Sequence, residues 1–161
     1  MQLLQSLHLN ASMGSDVTSR RLMMKVIEAL RYNDAIRHMI DNTPVLDSYV
    51  KFKLLGVIKL LEPTVENYNK VREDIILKYS TSRDDGSIGI FEPNREDFTD
   101  DADYDAARED YEAARDAFSQ ENAHILDSEA DITLPKINYR EIMNSGLSSA
   151  DLTAIYDLIE E

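Results

Sequence analysis

The clearest pattern in the chain lies in the segment VKFKLLGVIKLLEPTVENYNKVREDI, residues 50–75. Its apolar residues recur at alternating steps of four and three, with Thr64 as the one exception, at Val50, Leu54, Val57, Leu61, Tyr68, Val71 and Ile75. Such a heptad seam is typical of helices that pack lengthwise. We therefore predict a helix over about residues 46–79. Because Pro63 lies inside it and has no amide hydrogen, we expect a kink or break there.

A second seam follows in residues 97–127. Its apolar residues again step by three and four, with Glu121 as the exception, at Tyr104, Ala107, Tyr111, Ala114, Phe118 and Ile125. The residues between the two seams, 80–87, are rich in Ser, Asp and Gly, which favour turns. Two seamed helices joined by a turn predict an antiparallel, coiled-coil-like helical hairpin.

Flanking elements complete a mainly α fold class. We predict a helix over about residues 16–41, ended by Asn42-Thr43-Pro44, and a last helix over about residues 148–160, opened by a capping box between Ser148 and Asp151. A short turn of helix is expected at residues 139–143. Short strands at about residues 88–91 and 131–134 are expected to pair as a small two-stranded β element.

Residues 1–15 form an apolar arm in this interpretation, and residues 16–161 form a single helical domain. The arm carries Leu3, Leu4, Leu7 and Leu9 before a Ser- and Gly-containing break. Two interpretations of the arm stay open. It packs onto the core of its own chain, or it docks on a neighbouring subunit.

Charge is distributed unevenly along the chain, whose net charge is −14. Residues 1–80 hold 11 Lys and Arg against 9 Asp and Glu, whereas residues 81–161 hold 6 against 22. Such a field repels nucleic-acid phosphate and anionic lipid and attracts basic protein surfaces. We therefore expect no direct nucleic-acid binding. We also expect no membrane association, because the best apolar stretch, Leu54–Leu61, is far too short to span a bilayer.

Residue types suited to catalysis form no recognisable constellation. The chain has no Cys, so disulfides and thiolate metal sites are excluded, and its three His residues lie far apart. No phosphate loop, dinucleotide-binding glycine pattern or nucleophile elbow is present. We expect a protein that is not an enzyme and that has no cofactor.

An acidic cluster at the start of the second seam has three interpretations. Asp101, Asp103, Asp105 and Glu112 match several ligand positions of a calcium loop, but Ala106 replaces the glycine of its sharp turn. A solvated helix face is the commoner explanation, and no metal is expected. The third is a rod of carboxylates that imitates a DNA backbone. The acidic candidates for partner binding are Asp100, Asp101, Asp103, Asp105, Glu109 and Asp110.

From about residue 35 to residue 161 the chain resembles a family of small, acidic, helical proteins encoded by tailed bacteriophages. The resemblance rests on the segments YVKFKLL (49–55), LEP (61–63), VREDIILKY (71–79), DDG (84–86) and DITLPKI (131–137), and on the leucine-containing C-terminal helix. It implies a phage origin and brings no catalytic signature. Residues 1–34 are an addition to the pattern.

Together these patterns predict a non-enzymatic phage structural or assembly protein, in the virion or the host cytoplasm, that docks on other protein subunits. A heptad seam serves an intermolecular coil as well as an internal hairpin, so a homo-oligomer stays open. The alternative is an acidic inhibitor or DNA mimic that binds a host nucleic-acid-binding protein.

Overall fold

A computed structural model of the protein describes residues 24–160. Five helices dominate this part of the chain: α1 Val26–Asn42, α2 Ser48–Tyr79, α3 Asp101–Asp127, α4 Tyr139–Ile142 and α5 Ser149–Ala154. Six two-residue strands lie between and beside them: β1 Met24–Lys25, β2 Thr81–Ser82, β3 Ile88–Gly89, β4 Glu129–Ala130, β5 Ile137–Asn138 and β6 Ile159–Glu160. Single 3-10 turns occur at Arg95–Asp97 and Tyr156–Leu158. The mainly α prediction with a small β element is confirmed.

The hydrophobic core forms around the first half of α2. Asp47 caps this helix, because its carboxylate accepts from the amides of Tyr49 and Val50 at 3.0 and 3.1 Å. The first four seam residues, Val50, Leu54, Val57 and Leu61, are fully buried. They pack in one cluster with side chains of α1, β5, α4 and the C-terminal segment, among them Ala29, Ile36, Met39, Ile137, Ile142, Ile155 and Leu158.

The second half of α2 and helix α3 form the predicted hairpin. The Tyr68 hydroxyl donates to the Asn122 side-chain oxygen at 3.1 Å, and the Arg72 guanidinium lies 6.0 Å from the centroid of the Phe118 ring. As α2 advances one turn from Tyr68 to Arg72, the residue it meets on α3 moves back one turn from Asn122 to Phe118, so the two helices run antiparallel. No residue of α3 is fully buried, and its seam residues are half-buried. The hairpin therefore extends from the core as a pair of helices that is only half-buried on the α3 side.

Of the kink or break predicted at Pro63, the break is wrong, since α2 continues from Ser48 to Tyr79 with Pro63 inside it, and the kink stays a prediction. Proline removes one hydrogen bond from the helical ladder, whereas the buried residues before and after it, Leu61 and Ile75, hold the helix in register on its neighbours. The helix therefore runs unbroken from the core into the hairpin.

The predicted pairing of residues 88–91 with residues 131–134 is also wrong. Strand β3 pairs antiparallel with β2 in a local hairpin, with Thr81 opposite Gly89. A turn closed by the Arg83 amide on the Ser87 oxygen, with Gly86 at a φ of +82°, brings these strands together. Closing so short a loop costs less chain entropy than pairing with a segment more than forty residues away.

The chain after α3 forms a strand earlier than the sequence predicts. Strand β4, Glu129–Ala130, pairs antiparallel with β1, and residues 131–134 are irregular. The Val26 amide donates to the Ser128 oxygen at 3.0 Å, which fixes the start of α1 against the end of α3. This pairing also corrects the start of the first helix, because Met24 and Lys25 are extended where a helix over 16–41 was predicted. Residues 16–23 and the arm leucines, Leu3, Leu4, Leu7 and Leu9, lie outside the described residues.

Two other helix boundaries differ from the prediction. Helix α3 begins at Asp101 instead of residue 97, because the Asp100 carboxylate caps it by accepting from the Ala102 amide at 2.8 Å. The last helix is shorter than residues 148–160. It opens with the predicted Ser148–Asp151 capping box but ends at Ala154, after which β6 pairs parallel with β5.

Candidate functional site

The calcium-loop residues are not brought together. All four lie on α3, where the Asp101 carboxylate accepts from Arg95 and the Glu112 carboxylate accepts from Arg108 at 3.2 Å. On a helix, residues two apart point in widely different directions, so Asp101, Asp103 and Asp105 cannot converge on one ion. Among residues 24–160 no three His, Asp or Glu side chains are placed to hold a metal ion.

The acidic partner-binding candidates lie on the exposed surface of α3 and at its start. Asp100 is the helix cap, whereas the side chains of Asp103, Asp105, Glu109 and Asp110 face solvent. The two arginines within this stretch, Arg108 and Arg115, are each paired with an acid of the same helix. The outer surface of α3 therefore stays strongly negative.

A row of exposed apolar residues runs along the first half of α2, on a different face from the core seam. We call it the α2 stripe, and it consists of Tyr49, Phe52, Gly56 and Leu60. Tyr49 is 49%, Phe52 71% and Leu60 47% exposed, and a Cβ added at Gly56 would meet nothing within 4 Å. Steps of three and four residues place all four on the side of α2 that faces away from the core.

The α2 stripe lies in a locally basic setting. Lys51, Lys53 and Lys59 flank it, and no acidic residue occurs between Ser48 and Leu61. The Lys53 ammonium lies 5.2 Å from the centroid of the Tyr49 ring. An apolar surface with positive charges at its edges is thus present on a chain whose net charge is −14.

Two further exposed apolar side chains lie near the first turn of α2. The Asp47 amide donates to the Ser145 oxygen at 2.9 Å, which joins the loop before α2 to the loop after α4. Val45, two residues before Asp47, is 81% exposed, and Met143, two residues before Ser145, is 56% exposed. Exposed apolar side chains therefore also occur on the two loops at this end of α2.

A cleft of 330 Å³ lies at the far end of the hairpin, between the β2–β3 connector and α3. We call it the hairpin-end cleft. Aromatic rings from three parts of the chain line it: Tyr79, Phe91, Phe98 and Tyr111. Three acidic residues, Glu92, Asp97 and Asp110, line it as well, together with one basic residue, Arg83. Among the described residues that line this cleft, Asp110 is the only one that was predicted to bind a partner.

At the C-terminal end of α2, Lys78 and the Tyr79 hydroxyl both donate to the Glu121 carboxylate. These two hydrogen bonds, with the ammonium charge of Lys78, lower the pKa of Glu121 below its ordinary value. The same pairing raises the pKa of Lys78. Glu121 is the one polar member of the α3 seam, and its contacts explain why an acid replaces an apolar residue there.

Sequence reasoning missed both the α2 stripe and the hairpin-end cleft. The stripe has a signal, because Tyr49, Phe52, Gly56 and Leu60 repeat at helical spacing beside the core seam, but the stronger seam conceals it. The cleft has none, because the residues 79, 91, 98 and 111 that line it follow no common period.

In the described part of the chain, no helix combines the length and the apolar character that crossing a bilayer requires.

Comparison with known proteins finds no matching protein family, no matching curated protein and no matching solved structure. The α2 stripe, the acidic surface of α3 and the hairpin-end cleft are accordingly the features from which function is inferred.

Proposed function

We propose that the protein is a non-enzymatic structural or assembly protein of a tailed bacteriophage that works by docking on other protein subunits. The observation that carries the proposal is the α2 stripe, an exposed apolar row on the outer face of the first half of α2, whose inner seam residues are fully buried. Single exposed apolar side chains are common on protein surfaces, whereas a contiguous row of them is typical of an interaction site. The stripe lies on the best-anchored helix of the fold, so it presents a rigid surface to a partner.

The occupant that fits this surface is an acidic amphipathic helix of another protein subunit. Residues at steps of three and four offer the ridge and groove spacing into which a second helix packs. Gly56 leaves open space at the centre of the row, which allows the partner backbone to approach closely. The flanking lysines attract acidic side chains at the edges of such a helix and repel basic ones. A second copy of the α2 stripe would bring Lys53 and Lys59 against their own counterparts and is disfavoured.

The phage assignment is supported by the resemblance of residues 35–161 to small acidic phage proteins. It places the working protein in the virion or in the host cytoplasm during assembly. Mass spectrometry of purified virions and of assembly intermediates tests this part of the proposal. Absence of the protein from both would remove the phage structural role while leaving the docking surface to be tested separately.

Site-specific cross-linking tests the docking surface. A photo-reactive amino acid placed at Phe52 is expected to cross-link in infected cells to an acidic helical segment of another phage protein. The matched control places it at Leu77, which is 58% exposed on the distal half of the same helix. The double change Lys53→Glu and Lys59→Glu should abolish the Phe52 cross-link. Cross-links that form equally from both positions, or a self cross-link alone, would contradict the assigned partner.

The alternative function, an acidic inhibitor or DNA mimic, is supported by the unneutralised outer surface of α3. Its contacts would be ionic and would weaken with salt. Pull-down from host lysate with a triple variant, Asp101→Asn, Asp103→Asn and Asp105→Asn, separates the two functions. Recovery of a nucleic-acid-binding protein that is lost in this variant and at high salt, but kept in Phe52→Glu, would favour the inhibitor.

A further inference from the structure

We infer that the hairpin-end cleft is a binding site for an organic cation, such as an amine or the side chain of a lysine or arginine. This site is separate from the α2 stripe, which lies at the other end of α2, and the inference is independent of the docking proposal. Its volume, 330 Å³, lies at the lower end of the range of small-molecule sites. A side chain or a small amine fits this space, whereas a larger cofactor does not.

The walls of the cleft favour a cation because they are aromatic. Aromatic rings attract positive charge through the negative potential of their faces. Three of the four rings already have such a contact with a cation of the chain itself. The Arg83 guanidinium carbon lies 3.8 Å from the centroid of the Phe91 ring, and the Lys78 ammonium lies 4.9 Å from that of Tyr79. The Arg115 guanidinium carbon lies 5.8 Å from the centroid of Tyr111, so among the described residues Phe98 is the lining ring that has no such contact and is open to a ligand. The Phe91 ring also packs closely on Gly89, where an added Cβ would approach the ring at 3.0 Å. This wall is therefore held in place before any ligand binds.

The charged residues at the cleft also favour the binding of a cation. Glu92, Asp97 and Asp110 line it, and within residues 24–160 their side chains make no hydrogen bond or ion pair. Of the lining residues that the structure describes, Arg83 is the only basic one, so the acidic residues exceed the basic ones. The acidic surface of α3 adds to this field, and a concave surface concentrates it. An anion would be repelled at the same place.

Titration followed by amide NMR tests the inference on the full-length protein. The probes are N-acetyl-lysine methylamide, putrescine and the neutral N-acetyl-norleucine methylamide. We expect saturable shifts of the Phe91, Phe98 and Tyr111 amides with the first two probes and none with the third. Tighter binding of the lysine derivative would identify a protein side chain as the ligand, and tighter binding of putrescine a free amine.

Two variants assign the binding to the cleft. Asp110→Asn and Phe98→Leu should each weaken binding roughly 2- to 5-fold, the range of an exposed ionic or cation–π contact. Glu109→Gln is the matched control, because it removes the same charge from the next residue of α3 without altering the lining of the cleft. No saturable shift with either amine, or equal weakening by Glu109→Gln and Asp110→Asn, would overturn the inference. Asp110→Asn is a surface change on a helix, so a folding defect does not obscure the result.

Discussion

The Tyr32 hydroxyl donates a 3.1 Å hydrogen bond to the Asp157 carboxylate and so joins helix α1 to the C-terminal 3-10 turn. Asp157 lies between Ile155 and Leu158, both of which are buried in the core, and its backbone oxygen accepts from the Lys136 ammonium. Partial burial is the main cause that raises the pKa of Tyr32, and this hydrogen bond and the carboxylate charge of Asp157 add to it. Together they raise the pKa of Tyr32 to about 12. The C-terminal segment is thus held by polar contacts at the edge of the core.

This relationship predicts a loss of stability at high pH. In the unfolded chain a tyrosine ionises near pH 10, whereas folded Tyr32 ionises at about 12. Because the folded state holds the proton more tightly, the stabilisation is complete below pH 10 and is lost as the pH rises towards 12. Absorbance titration should show a late-ionising tyrosine that Tyr32→Phe removes. If the late phase persists in Tyr32→Phe, the assignment is wrong.

The first seam predicts the buried residues of α2 correctly only in the half of the helix that other elements surround. Val50, Leu54, Val57 and Leu61 are fully buried, whereas Val71 of the same seam is 42% exposed. The reason is that α1, β5, α4 and the C-terminal segment surround the first half of α2, whereas within the described residues the second half packs mainly along α3. Periodicity gives the face that a helix turns to its neighbours, and it does not give the number of neighbours.

The pairing of the strands could not be predicted from the sequence, for a different reason. Two-residue strands such as β1 and β4 carry no alternating pattern, and their pairing follows from where α1 begins and α3 ends. The sequence does place the acidic residues of α3 correctly on a solvated helix. It does not show that Asp110 lies at a cleft while Glu109 does not, because that difference depends on the connector at residues 83–98.

Adjacent leucines on α2 provide a direct test of its two faces. Leu61 is fully buried and Leu60 is 47% exposed. We expect Leu61→Ala to destabilise the protein by about 2–5 kcal/mol, since it opens a cavity in the core. Leu60→Ala should change the free energy of unfolding by about 0.5 kcal/mol or less. Urea unfolding of both variants measures these values, and equal losses would show that the α2 stripe packs against the protein's own chain.

The contribution of Glu121 to the stability of the hairpin depends on pH. Its pKa in the folded state is lowered below the ordinary value of 4.5 by the hydrogen bonds from Lys78 and Tyr79. The contribution is therefore complete above that value and is lost as the pH falls through the folded-state pKa. We expect Glu121→Gln to be less stable than the wild type at about pH 7, and this deficit to be smaller at about pH 3.

The control for this prediction is Glu109→Gln on the same helix. The Glu109 carboxylate makes no hydrogen bond or ion pair within the described residues, so its removal should not destabilise the protein at neutral pH. Denaturant unfolding of both variants at the two pH values gives the comparison. A deficit in Glu121→Gln that is unchanged in acid would mean that packing, and not charge, is the cause.

Three glycines in different settings separate backbone strain from steric contact. Gly146 has a φ of +89°, and a Cβ there would lie 3.0 Å from the Val45 carbonyl oxygen, whereas Gly86 has a φ of +82° and open space around it. Gly56 lies inside α2 with open space as well.

We expect Gly56→Ala to stabilise the protein by about 0.5–1 kcal/mol, because alanine restricts the unfolded chain and favours a helix. Gly86→Ala should destabilise it by about 1–2 kcal/mol through the left-handed backbone alone, and Gly146→Ala by more, since the two loops must also move apart. Thermal unfolding of the three variants gives this order, and a Gly146→Ala protein no less stable than Gly86→Ala would show that the loop before α2 and the loop after α4 are not in close contact.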